Sequence, residues 1–307
     1  MTRRRVGFQA LTVQAPARLE ARMPVLPGLF LLGALWGLSP SIAKAGLAMG
    51  IPPLGFGFCA ALGSGLALLA LARMQGVPVR LDRAHLRHYA ANGLFGFALA
   101  NLVAYTALPH IPAGFFALLM PLVPILTVLG AALIGQERLT SRRIAGSALG
   151  LAGVALAMAP GAALPGVGAW SWALLAALTP LCYAVANLLA VRLAPRGAAP
   201  LGLATGALLA AACWLGGLGL AAGQLPFSAP WPALALLPLQ AVLTAIAYLL
   251  YFRLMGSAGS VVTSQAGYLI SIFGIAWGAI LFGERMGWLA LPAATLVFGG
   301  LYLVSRK

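Results

Sequence analysis

The sequence predicts an all-α polytopic membrane protein, with ten transmembrane helices in two inverted five-helix repeats and both termini in the cytoplasm. Three observations lead there. Of 307 residues, 62% are hydrophobic and 7% charged, against about 25% charged in a soluble domain, and the mean hydropathy is +0.99. Such a chain cannot cover a water-facing surface. The basic residues sit in short connections between apolar runs long enough to cross a bilayer as helix. Finally, one phrase, an apolar run ending in Gly-(x)-Glu-Arg, occurs twice at a spacing of 147 residues.

Charges, Pro/Gly clusters and polar turns mark the elements in order. A basic cytoplasmic tail, residues 1–22, carries no small-residue cleavage site and leads into an uncleaved first span, with Met23 as an alternative start. The first repeat, 23–160, holds spans at 28–47, 53–73, 88–108, 112–135 and 143–159. The second, 161–307, holds spans at 169–192, 200–221, 231–252, 259–282 and 287–305.

The arginines test this count. With the N-terminus inside, seventeen of the nineteen basic residues fall on one side and only Lys44 and Arg285 on the other. The positive-inside rule then puts both termini in the cytoplasm of a bacterial inner membrane, and one helix more or fewer would scatter the arginines over both faces. These charges form no stripe with interleaved aromatics, so nucleic acid is not an expected partner. The expected partners are a small-molecule substrate and the lipid bilayer, with the chain a monomer or weak homodimer.

At the 147-residue offset Glu137 matches Glu284, Arg138 matches Arg285, Gly153 matches Gly300 and Trp36 matches Tyr183. Five spans per half is an odd number, so the halves enter the membrane from opposite sides. Two near-equal inverted halves can exchange inward-open and outward-open shapes around a midplane site.

The segment "ALPHIPAGFFALLMPLVPILTVLGAALIGQERLTSRRIAGSALGLAGVAL" and its echo "GERMGWLALPAATLVFGGLYLV" resemble the drug/metabolite transporter superfamily, in its ten-helix EamA-type branch. The resemblance covers the chain after Met23 and departs from itself only in the extra Gln136 of the first copy. It implies a helical basket with spans four, five, nine and ten packed to one side, and export of amino acids or similar metabolites.

Polar side chains inside hydrocarbon are costly and mark sites by default. Gln240, Thr244, Tyr248 and Tyr251 lie on one stripe of the eighth span, and Thr179, Tyr183 and Asn187 on one of the sixth. Asn101 and Tyr105 come from the third span, Trp36, Ser39 and Pro40 from the first, and Ser264, Tyr268 and Ser271 from the ninth. A cavity of aromatic, amide and hydroxyl groups without a carboxylate suits a small neutral or zwitterionic solute; the alternative is hydrogen bonding between helices. Lys44 with Glu284 outside, and Arg192 with Glu137 inside, would form a pseudo-symmetric pair of gate contacts, which exchange of the two charges should test; alternatively Lys44 snorkels to the interface.

Other features read as structural. Pro121 and Pro124 bend the fourth span. "GSALGLAG" has GxxxG spacing that serves packing within the chain. His85 and His88 are expected as solvated loop residues among arginines, and the three cysteines lack metal or disulfide spacing. No cofactor or metal is expected.

No GxxxxGK[ST] loop occurs, so transport is secondary, and no carboxylate lies at mid-span for a proton relay of the usual kind. The nucleophile, base or metal cluster that an intramembrane enzyme needs is missing from the spans. The reading is therefore an amino acid exporter or exchanger working by alternating access, with a multidrug efflux transporter as the alternative and a non-transporting accessory protein as a more remote one.

Overall fold

The computed structural model describes residues 25–135, 140–159, 164, 167–225, 227–264 and 266–305. Among them the long elements are all helical, and seven helical stretches are long and apolar enough to cross a membrane. In order the helices are α1 (Val25–Ala48), α2 (Pro53–Met74), α3 (Arg83–Gly93), α4 (Leu99–Ala107), α5 (Ala113–Leu119), α6 (Leu122–Leu133), α7 (Ser141–Ala157), α8 (Trp170–Ala176), α9 (Leu178–Leu193), α10 (Pro200–Ala221), α11 (Trp231–Leu234), α12 (Leu236–Ser264), α13 (Ala266–Phe282) and α14 (Ala290–Ser305). A π-helical turn, Leu94–Ala98, joins α3 to α4, so Arg83–His110 forms one rod.

Local chemistry explains the boundaries. Pro53 opens α2, where its missing N–H costs nothing. Gly76, at φ +66°, supplies the left-handed residue just past the end of α2. Asp82 caps α3 by accepting from the Ala84 and His85 N–H groups, each at 3.1 Å. The fourth span is interrupted at Met120–Pro121, dividing it into α5 and α6.

Three expectations fail here. The third rod starts at Arg83 and not at residue 88, because the Asp82 cap draws the charged Arg83–Arg87 segment into helix. His85 and His88 are accordingly buried, at 6% and 5% exposure, and are not solvated loop residues. His85 Nδ1 lies 2.7 Å from Asp82 Oδ2, a contact that holds the Asp82 carboxyl below the usual carboxylate range. The eighth and ninth spans also divide differently: α12 runs on to Ser264, past the expected end at 252, and α13 starts at Ala266. No proline lies between Pro238 and Pro292, and glycine and serine alone do not stop a helix.

Lipid tails are as apolar as leucine, so close backbone approach, more than hydrophobic burial, joins such helices. The GxxxG segment of α7 packs along α14 within the chain. A Cβ at Gly300 would stand 2.5 Å from the Gly146 carbonyl oxygen, and one at Gly153 would stand 2.7 Å from the Val297 nitrogen. α1 meets α13 in the same way, with Gly37 against the Gly274 backbone. Between these seams Ile42, Phe56, Phe115, Leu118 and Leu119 form part of the largest buried cluster, where α1, α2 and α5 converge.

Candidate functional site: a polar layer beneath an ionic latch

α1 and α12 bring together six of the residues singled out in the sequence. Gln240 Nε2 donates to Ser39 Oγ at 2.6 Å and to Thr244 Oγ1 at 3.5 Å. One helical turn before Ser39, the Trp36 ring meets Tyr248 edge-on at 5.7 Å and Tyr251 at 5.4 Å. Aromatic pairs in this range add about 0.5–1.5 kcal/mol each beyond their buried area. Gln240 is 2% exposed, and its Oε1 has no hydrogen-bond partner among the described residues. A buried amide with one unmet end costs about 1–3 kcal/mol, a cost that a hydrogen-bonding solute would remove.

A second group comes from α4 and α9. The Tyr183 side chain lies near that of Asn101, and Tyr105, Tyr183 and Tyr248 are within electrostatic reach of one another, which brings the two groups close. Asn101 also donates to the Phe97 carbonyl at 2.9 Å, inside the π-helical turn. Tyr105 stands edge-on to Phe56 at 5.2 Å. Thr179 Oγ1 donates to the Ala100 carbonyl at 3.3 Å, pinning α9 to α4.

Other candidates take different partners. Asn187 is exposed and donates to Thr127 Oγ1 of α6 at 3.3 Å. Tyr268 packs on Phe298 of α14 at 5.7 Å, and Ser271 donates to the Ala117 carbonyl at 2.8 Å. Arg192 is exposed and makes no ion pair among the described residues. Glu137 and the Ser264 side chain lie outside the described residues.

At the end of α1 stands the strongest electrostatic feature. Lys44 Nζ lies 2.6 Å from Glu284 Oε1, with the two side chains 17% and 11% exposed. It also donates to the Ile111 carbonyl at 2.9 Å and lies 5.1 Å from the centroid of the Phe282 ring. Glu284 in turn accepts from the N–H groups of Ala113, at 2.8 Å on Oε1, and Gly114, at 3.0 Å on Oε2. Those are two of the donors that a helix N-terminus leaves without intrahelical partners, and the helix dipole favours a carboxylate there. Three separate segments, α1, the start of α5 and the loop after α13, thus meet on one carboxylate.

Sequence reading found the two charges of this latch and missed the backbone donors. The available signal was "HIPAG", a proline followed by small residues at a helix start. It also missed Gly278, where a Cβ would press on the Glu284 carboxylate and stand 3.1 Å from the Gly114 nitrogen.

Comparison with known proteins accords with this architecture. Residues 24–159 and again 170–306 match the EamA-like transporter family. An uncharacterized protein of Pseudomonas aeruginosa is 30% identical over 240 residues, covering 78% of this chain and 79% of its own. A crystal structure superposes with a TM-score of 0.65 at 18% identity, covering 92% of this chain and 98% of the other, a likeness of fold alone. Two copies of the family match, spanning nearly the whole chain, place this protein in the EamA-like transporter family of multi-pass membrane transporters of small molecules.

Proposed function

We propose that the protein is a secondary exporter or exchanger of small amphipathic metabolites, amino acids foremost, working by alternating access in a bacterial inner membrane. In this reading ten spans form two inverted repeats with both termini cytoplasmic. The observation that carries it is the Gln240 amide, buried with one end unmet, beside the Trp36, Tyr248 and Tyr251 rings. A zwitterion can use both features: its polar head meets the amide and its side chain lies against the aromatic faces.

The Lys44–Glu284 pair acts as the outer gate in this scheme. While it is formed, α1, α5 and the end of α13 are held together on that face, and access belongs to the opposite one. Opening outward requires the Glu284 carboxylate to leave three donors at once.

Counterflow in proteoliposomes tests the proposal with a panel of labelled amino acids, with and without a pH gradient. Saturable exchange, lost in folded Tyr183→Ala and Tyr248→Ala proteins, is the expected result. Exchange of lipophilic drugs in place of amino acids would favour multidrug efflux, and exchange of neither would favour the accessory-protein reading.

A further inference from the structure

Away from the polar layer an apolar cleft of about 270 Å³ opens between α4 and α9. Phe95, Leu99 and Val103 line one wall and Leu178, Leu181 and Val185 the other. Every lining residue is apolar, and Leu178 and Leu181 are exposed, so the cleft faces the surroundings of the bundle.

Both walls lead to an arginine. On α9, Arg192 follows Leu181 by eleven residues and Val185 by seven, spacings that return to one face of a helix at 100° per residue. On the rod Arg83–His110, Arg87 begins the series 87, 91, 95, 99, 103. Steps of four in an α-helix drift by about 40° each, so Phe95 lies up to about 80° round the rod from Arg87, and the π-helical turn at Leu94–Ala98, which turns less per residue, brings Leu99 back to about 30–50° from it. Arg87 therefore stands within about a quarter turn of the face that carries Phe95, Leu99 and Val103.

The two helices run antiparallel across the cleft, and α3 packs on α9. At 1.5 Å per residue, Arg87 lies about 12 Å below Phe95 and Arg192 about 10 Å below Val185. Both guanidinium-bearing residues are exposed and reach the same depth. Among the described residues the one acid nearby, Asp82, already serves the α3 N-terminus and His85.

We propose that this cleft and its two arginines form a binding site for one anionic glycerophospholipid, with an acyl chain between α4 and α9 and the phosphate between Arg87 and Arg192. The cleft supplies what a lipid tail needs, and the arginines supply the planar, permanently charged donors suited to a phosphodiester. A site with this composition distinguishes lipid from a free phosphate, because the anion alone leaves the apolar cleft unfilled. Cytoplasmic arginines in general attract anionic lipid; what is particular here is the shared face with a cleft on both helices.

Native mass spectrometry of the full chain, released from micelles containing equal amounts of phosphatidylglycerol and phosphatidylcholine, tests the site. Phosphatidylglycerol should be retained preferentially. Arg87→Gln with Arg192→Gln should lower its retention about tenfold, whereas Arg73→Gln with Arg80→Gln, on the same Arg-rich face but off the cleft stripes, should change it less than twofold. Val185→Trp should lower retention of both lipids by filling the cleft, and excess glycerol 3-phosphate should fail to displace the lipid. Equal retention of the two lipids by the unmodified chain, equal losses in the two arginine pairs, undiminished retention in folded Val185→Trp protein, or displacement by glycerol 3-phosphate would each overturn the assignment.

Discussion

Removing Lys44 and removing Glu284 should have unequal effects. At 2.6 Å and an effective dielectric of about 20, the gross attraction between the two charges is about 6 kcal/mol. Desolvation of two largely buried ions offsets much of it. Lys44→Met deletes one charged hydrogen bond to Glu284 and leaves the carboxylate its two backbone donors, a loss of about 1.5–3 kcal/mol. Glu284→Gln removes the charge seen by all three donors and turns an NH₂ group towards one of them, a loss of about 3–5 kcal/mol, as for one member of a buried pair. If the latch forms only with the outer face closed, these energies shift the closed-to-open ratio by about 10–150-fold and by more than 150-fold, at 1.4 kcal/mol per tenfold. Spin labels at Met49 and Trp288, 41% and 77% exposed, in a chain lacking Cys59, Cys182 and Cys213, would report the distance by pulsed resonance in nanodiscs. The longer-distance population should rise in the order wild type, Lys44→Met, Glu284→Gln, with Lys44→Arg near wild type. Unchanged distributions in both folded neutral variants would refute the gate. Double charge reversal, the test the sequence suggested, should not restore closure: a lysine at 284 would face two N–H donors, and a glutamate at 44 would face the Ile111 carbonyl.

Three further outcomes follow from the geometry. Gly278→Ala, whose Cβ presses on the Glu284 carboxylate, should behave like Glu284→Gln in the same distance measurement, whereas Gly114→Ala, whose nearest neighbour is the flexible end of Met286 at 2.7 Å, should shift it less. Gly300→Ala meets backbone on α7 at 2.5 Å and should destabilise the folded chain by about 1–3 kcal/mol through overpacking, read as a lower midpoint of thermal unfolding in detergent. Gln240→Leu removes the unmet buried amide and should raise thermal stability or leave it unchanged while lowering amino acid counterflow at least tenfold; undiminished counterflow would remove Gln240 from the proposed site.

The helical architecture was legible because bilayer thickness imposes long apolar runs, and charges punctuate them. Pairing Lys44 with Glu284 was legible because so few charges exist to choose from. What the sequence hid depends on the main chain. The Ala113 and Gly114 donors are main-chain groups announced only by the proline and small residues of "HIPAG", and the continuation of α12 to Ser264 turns on the absence of proline where polarity suggested a break. The burial of His85 and His88 was hidden by their neighbours: Arg83 and Arg87 share the same short helix but face outward. Likewise, helical stripes named the polar faces but not their partners, so Asn187 and Tyr268 looked equivalent to Tyr183 although their contacts go to α6 and α14.

Two of the three groups that hold Glu284 are peptide N–H groups, and this shapes how the latch can vary between descendants of one gene. A codon change can alter Lys44 in small chemical steps, but a peptide N–H disappears only when proline arrives. In the proposed gate, position 44 is therefore the natural place for inherited fine adjustment of how readily the gated face opens. Position 284 has almost no such latitude, since its side chain must reach two fixed donors with a negative charge. A collection of relatives should accordingly vary at the lysine far more than at the glutamate, and should keep residues without bulk at 114 and 278.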